Sequence, residues 1–344
     1  MTRRGVIRCS LAAVLFGISA PAASRLAGHM GAFTLAGLLY LGAAIAVLPF
    51  IGRVRPTREA LRRGAPRLAT AVVLGGAVGP VLFAVGLSHA PAATASLLLN
   101  LELVFTTVLA YFVVREHLGR RVVAGTLLVV VAGLLLGWSG GADLRWGALL
   151  IAGACLCWGV DNNVTANLDE LAPAHITLVK GVIAGGANLA IGLALGGTPA
   201  GWSILGALLV GGFGYGASIT LWIAGARDLG AARGQLVFAT APFVGAIVAW
   251  TVFADPLRGR ELVSLVIAAV GVSFVLHSDH LHEHHHDAIE HDHDHEHVHD
   301  DGHHAHSHPG EMPVRHQHVH RHEALVHSHP HVPDLHHRHD HADA

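Results

Sequence analysis

Charge is scarce in this chain. Only 13% of its 344 residues are Asp, Glu, Lys or Arg, against about a quarter in an average soluble domain. Hydrophobic residues make up 52%, and the mean hydropathy of +0.50 is reached although a long C-terminal segment is polar. That combination excludes an ordinary soluble globule. Lysine is nearly missing, Lys180 being the only one. Cysteine is limited to Cys9, Cys155 and Cys157 in apolar stretches, which excludes a disulfide framework. Cys155 and Cys157 stand two apart, so on a helix they point about 200° away from each other and cannot chelate together. No HExxH, Walker A or nucleophile-elbow pattern occurs in a suitable context, so the chain is not expected to be an enzyme.

What the chain has is histidine in one place. From His277 onward, 26 of the 30 histidines crowd into the tail. His282, His284, His285 and His286, then His291, His293, His295 and His297, alternate with Glu and Asp. Imidazole nitrogens and carboxylates so interleaved suit Ni, Co, Zn or Cu. An expression tag would be a short unbroken run. A pH-responsive polyampholyte is the competing reading, since an ordinary histidine titrates near pH 6.5. The tail is too polar to bury a core, and is expected to be disordered without metal. No motif requires a cofactor beyond those transition metal ions.

A spanning helix needs about 20 apolar residues. That ruler gives ten candidates: 10–28, 32–52, 67–88, 92–114, 121–139, 146–167, 175–196, 202–224, 234–254 and 261–277. With the N-terminus inside, Arg3, Arg4, Arg8, Arg53, Arg55, Arg58, Arg62, Arg63, Arg67, Arg115, Arg120, Arg121, Arg227 and Arg233 all fall on the cytoplasmic side. Arg25, Arg145, Arg258 and Arg260 fall opposite. The positive-inside rule therefore puts the N-terminus, and after ten passes the C-terminal tail, in the cytoplasm.

The basic start before an apolar run could be read as a signal peptide, but an internal repeat argues that the first span belongs to the fold. At an offset of 139 residues, Gly75 meets Gly214, Gly86 meets Gly225, Ala92 meets Ala231, and Glu116 meets Asp255. Phe16-Gly17 echoes Trp158-Gly159 at a slightly different offset. Five spans per repeat, an odd number, force the two halves into opposite orientations. Inverted repeats of this kind mark secondary transporters, with the solute site near the midplane between halves. The expected fold class is an all-α membrane protein of ten transmembrane helices in two inverted five-helix repeats. Residues 1–139 and 140–277 form the repeats, and 278–344 the His-rich tail.

The run from Ala92 through Phe105-Thr-Thr-Val-Leu-Ala-Tyr to Arg115-Glu116-His-Leu resembles the end of an EamA repeat of the drug/metabolite transporter superfamily. Ala239-Thr-Ala-Pro242-Phe-Val-Gly, followed by Asp255, resembles it again. The chain departs from the pattern at Leu103, where a proline is typical, and at Asp255, where glutamate is. The resemblance implies ten helices around a central cavity and transport without ATP hydrolysis, over a substrate range too broad to choose a cargo.

Ionisable groups inside spans are costly, about 2.5–3.5 kcal/mol on insertion scales, and by default mark function. Glu102 stands in span four beside Asn100 and one turn from Thr106. Asp161 and Asn162 stand in span six, and Lys180 in span seven. Glu102 and Asp161 are the candidate groups for a cation or a coupling proton. The blander reading has Lys180 pair with Asp161 as a static bridge. Pro80 and Pro242 interrupt helical hydrogen bonding inside spans and are candidate hinges. Gly75, Gly76, Gly79, Gly212, Gly214 and Gly216 suit close helix contacts.

Two classes of function follow. One is a proton-coupled transporter of the inner (plasma) membrane carrying a transition metal or a small organic metabolite, with a metal-binding tail. The other is a membrane-anchored metal buffer or sensor without transport. The expected partners are the lipid bilayer and a small solute or metal ion, with a second copy in a homodimer a further candidate and no nucleic acid.

Overall fold

The structure is a computed structural model and describes residues 3–53, 56–109, 111–112, 120–138, 141–166, 168, 171–197, 199–229 and 231–276, and the tail backbone at 280–286, 289–296, 315–322 and 325–331. From Arg3 to Leu276 these residues are helical, joined by short connections. The first half holds α1 (Arg3–Ala27), α2 (Ala32–Val47), α3 (Arg58–Thr70), α4 (Gly79–Leu87), α5 (Ala92–Leu98), α6 (Leu101–Leu109) and α7 (Arg120–Trp138). The second holds α8 (Ala142–Ala166), α9 (Pro173–Ala194), α10 (Gly201–Val210), α11 (Ser218–Leu229), α12 (Ala231–Phe238), α13 (Ala241–Thr251) and α14 (Gly259–Leu276).

Among the described residues, eight helical stretches are long and apolar enough to cross a membrane, the last of them Gly201–Ala226. The expectation of ten meets its limit after that point. The ninth expected span is divided between α12 and α13, because Ala239 and Thr240 form a turn and Pro242, which lacks an N–H, opens the second piece. The tenth corresponds to α14, which starts at Gly259. The third span starts earlier than expected, at Arg58, because Thr57 caps it by accepting from Ala60 N at 3.1 Å.

Among the described residues, π-helical segments join consecutive helices at π1 (Ala71–Val78), between α3 and α4, and at π2 (Gly211–Ala217), between α10 and α11. Shifting 71–78 by the 139-residue repeat gives 210–217, so the two are equivalent positions of the two halves. The other sequence echo is geometric as well. Gly17 of α1 lies against the start of α13, where a Cβ would come within 2.5 Å of Ala241 O, and Gly159 of α8 lies against α6, 2.9 Å from Phe105 Cβ. Each half thus lends its first helix to the broken helix of the other half.

Glycine makes these approaches possible. A Cβ on Gly37 would meet Leu189 N at 2.5 Å, on Gly181 Tyr40 O at 2.6 Å, and on Gly211 Leu39 O at 2.0 Å. Helix α2 therefore touches both α9 and π2 backbone to backbone, at the center of the bundle. Outward faces carry exposed Ile, Leu, Val and Phe, among them Leu149, Phe213 and Val266, as a lipid-facing surface requires.

The described tail departs from the expectation of a segment without structure. Strands β1 (His280–His286) and β4 (Leu325–His331) pair antiparallel, and β2 (Ile289–Glu296) pairs with β3 (Arg315–His322). The low hydrophobicity behind that expectation takes no account of the period-two alternation of His with other residues, which matches the pleat of a strand. The ladders set His282 opposite His329 and His293 opposite His318.

Gly211→Ala should lower the thermal midpoint in detergent by the equivalent of about 1–3 kcal/mol, because the obstructing atom is a backbone carbonyl that cannot swing away. Gly186→Ala on α9, where nothing lies within 4 Å of the added methyl, should leave the midpoint unchanged or raise it. Equal midpoints for the two variants would refute the close-packed reading.

Candidate functional site

Helix α8 supplies most of the polar groups. Trp158, Asp161, Asn162 and Thr165 are spaced i, i+3, i+4 and i+7, and so share one face. All four line a cavity between the two halves of the chain. Phe16 of α1, Tyr40 of α2 and Glu102 of α6 come to it from the first half. Lys180 of α9, Tyr215 of π2, Ile219, Trp222 and Ile223 of α11, and Phe238 of α12 complete it. The cavity measures about 50 Å³, room for a few waters, so an organic solute can enter only if its walls part.

The sequence candidates fall into three groups. Glu102, Asp161, Asn162 and Lys180 are brought together in the cavity. Asn162 Nδ2 donates to Glu102 Oε1 at 2.8 Å and to Thr106 Oγ1 at 3.3 Å, which ties α8 to α6. Thr106 is thus part of the polar network without lining the cavity. Asn100 does not line it either: it sits in the turn between α5 and α6, its Nδ2 donating to Leu97 O at 3.0 Å. The tail histidines lie on β1 (His282, His284, His285, His286) and β2 (His291, His293, His295), while His297 lies outside the described residues.

Lys180 Nζ donates to Asp161 Oδ2, and both side chains are buried. The pair that the blander sequence reading expected is therefore formed. Among the described residues Asp161 Oδ1, Tyr215 Oη and Trp222 Nε1 have no hydrogen-bond partner. Glu102 differs from Asp161 in having a neutral amide, not a cation, as its donor. It differs from the other buried glutamate too. Glu261, fully buried at the start of α14, accepts from Thr94 Oγ1 at 2.6 Å, from Trp250 Nε1 at 3.3 Å and from Arg258 N at 3.3 Å, and lies 3.6 Å from Arg258 Nη1. Glu261 is a saturated strut between helices. Glu102 faces an open space.

Pro80 has a local role that the hinge reading did not anticipate. The Gly79 N–H bonds Leu74 O in the π pattern, and Pro80 has no N–H to offer. The Gly75 carbonyl is left without those helical donors, and Tyr40 Oη and Trp158 Nε1 both donate to it, the latter at 3.2 Å. A proline one turn away thus orients two walls of the cavity. Gly75 also leaves no room above it, since a Cβ there would lie 2.3 Å from the Asp161 carboxylate. Pro242 occupies the first turn of α13, just past the break at Thr240.

The aromatic lining was missed from sequence. The Phe16 ring lies 6.1 Å from Trp158, 5.7 Å from Tyr215 and 5.3 Å from Phe238, and Tyr40 lies 5.5 Å from Tyr215. Scarcity was the available signal: the chain has three tyrosines, and two of them face each other here. His89 sits elsewhere, its Nδ1 2.6 Å from Asp143 Oδ1 at the rim of an open depression that also carries Arg258 and Arg260. Cys155 is buried against Leu98 O and outside the cavity lining.

Removing one member of a buried ion pair costs about 3–5 kcal/mol. Lys180→Met should therefore lower the unfolding midpoint sharply by leaving the Asp161 carboxylate alone, and Lys180→Met with Asp161→Asn should recover most of the loss. A double variant no more stable than the single would show that the pair is not the reason. Pro80→Ala returns an N–H to the helix at the Gly75 carbonyl, and should shift the tryptophan emission as Trp158 loses its acceptor. An unchanged spectrum would contradict the assigned role.

One relative, an uncharacterized transporter of Methanothermobacter thermautotrophicus (strain Delta H), is 28% identical over 297 residues, covering 79% of this chain and 86% of its own. A solved crystal structure at 18% identity has the same fold, with a TM-score of 0.60 over 80% of this chain and 99% of its own. The profile of the EamA-like transporter family matches twice, at residues 3–138 and 145–277. With both halves matched, and with apolar helices of both halves packed around a polar cavity, the chain belongs to the EamA-like transporter family and is a multi-pass membrane protein.

Proposed function

We propose that the protein is a proton-coupled secondary transporter of ten passes in the inner (plasma) membrane, with both termini cytoplasmic. It moves a small organic solute through the cavity around Glu102, and its tail binds transition metal ions. The observation that carries this reading is Glu102, a carboxylate 7% exposed that borders a cavity between the halves with, among the described residues, only an amide as donor. A helical anchor has no reason to bear the insertion cost of such a group, which disfavors a buffer or sensor without transport. A carboxylate poised between a proton and a solute is a means of coupling the two.

A transition metal as cargo fits the cavity poorly. Zinc and its neighbors take about four nitrogen, sulfur or oxygen ligands, whereas the cavity offers the Glu102 carboxylate and one already held by Lys180. The tail is the better metal site. Its alternating histidines, and the register that puts His284 opposite His327 and His295 opposite His316, support that role.

Cells expressing the full chain, a version ending at Ser278, or Glu102→Gln would be challenged with Ni, Co, Zn and Cu, and their metal measured by elemental mass spectrometry. Cell-associated metal should rise in step with the amount of tail present, and equally for wild type and Glu102→Gln. Metal that falls with the full chain, and no longer falls in Glu102→Gln, would make the metal the cargo and overturn the organic reading.

A further inference from the structure

We infer that the cavity selects a small organic ammonium ion, a primary amine in its protonated form, as the transported solute. This rests on the reading of the cavity as the transport site. Its charges do not balance: two carboxylates, Glu102 and Asp161, face one ammonium, Lys180. Lys180 is engaged by Asp161 Oδ2, so among the described residues that line the cavity no free cation is left to hold an anion. With Glu102 ionised one negative charge remains, and in a low-dielectric setting a single opposite charge from the solute is worth far more than in water.

The hydrogen-bonding groups point the same way. Asp161 Oδ1 and Tyr215 Oη are buried without partners among the described residues, on residues 6% and 1% exposed. With the Glu102 carboxylate they offer three acceptors to the three N–H donors of a primary ammonium. Rings finish the description. Phe16, Trp158, Tyr215 and Phe238 cluster with centroids 5.3–6.1 Å from Phe16, and aromatic faces attract a cation while tolerating an alkyl body. A carboxylate solute would meet Glu102 and Asp161 as like charges. A zwitterion would bring its own carboxylate to a cavity whose fixed cation is already paired, leaving that group to the neutral donors Tyr215 and Trp222.

The test uses three molecules with the same propyl tail, titrated calorimetrically into the full chain in lipid nanodiscs: butylammonium, the zwitterion norvaline, and butyrate. Butylammonium should bind. Glu102→Gln should weaken it at least tenfold, Tyr215→Phe several-fold, and Asp143→Asn on the outer rim not at all, with all variants matching wild type in thermal midpoint. Tyr215→Phe keeps the ring and serves as the second variant if Glu102→Gln fails to fold. Absent butylammonium binding, or binding indifferent to both variants, overturns the inference. If norvaline or butyrate binds more tightly and still depends on Glu102, the charge class falls while the transport site stands. If every probe is indifferent to Glu102, both fall together.

Discussion

The sole lysine of the chain is buried in the bundle, and a buried ammonium needs a carboxylate beside it. Asp161 supplies it, and the geometry of the bundle center follows from holding those two groups together. Helix α9 must press on α2 and α8 must press on π1, which is why Gly181 and Gly75 stand at the crossings. Gly75 then does a second thing. Its carbonyl, freed by the missing N–H of Pro80, anchors Tyr40 and Trp158 beside the ion pair. Charge, backbone and ring orientation are solved in one place, and removing any one of them disturbs the other two.

Much of this was legible in the sequence, and for identifiable reasons. Hydropathy and the 139-residue echo report burial and symmetry, properties that a linear pattern encodes directly. Glu102, Asp161 and Lys180 stood out because charge inside an apolar run is rare. The pairing of Asp161 with Lys180 was one of two readings, and only geometry could decide that it forms. What stayed hidden depends on three dimensions. Phe16, Tyr40, Trp158, Tyr215 and Phe238 look like any apolar residue until five helices converge. The π turns, and the use of Pro80 to release a carbonyl, leave no periodic trace. The division of the ninth span into α12 and α13 reflects a local break that mean hydropathy averages away. In the tail, composition argued against order, while the alternation that permits backbone pairing was read only as ligand spacing.

Body and tail obey different chemistry. The body excludes water and offers a few fixed polar groups, so it can discriminate among solutes by charge and shape. The tail pairs its strands with His positions opposite His positions along the ladder.

The equivalence of the halves has an energetic side. Gly75 against Asp161 and Gly214 against Ser19 are the same contact made twice, once in each orientation, with an added Cβ meeting its neighbor at 2.3 Å in both cases. In a molecule built this way, exchanging the arrangements of the two halves preserves every contact that is common to them. Only the positions where the halves differ can tilt such a balance. At this contact the difference is a carboxylate held by Lys180 on one side and, on the other, a hydroxyl that satisfies itself on Phe16 O at 2.6 Å. At this crossing the two halves thereby differ in a single pair of side chains.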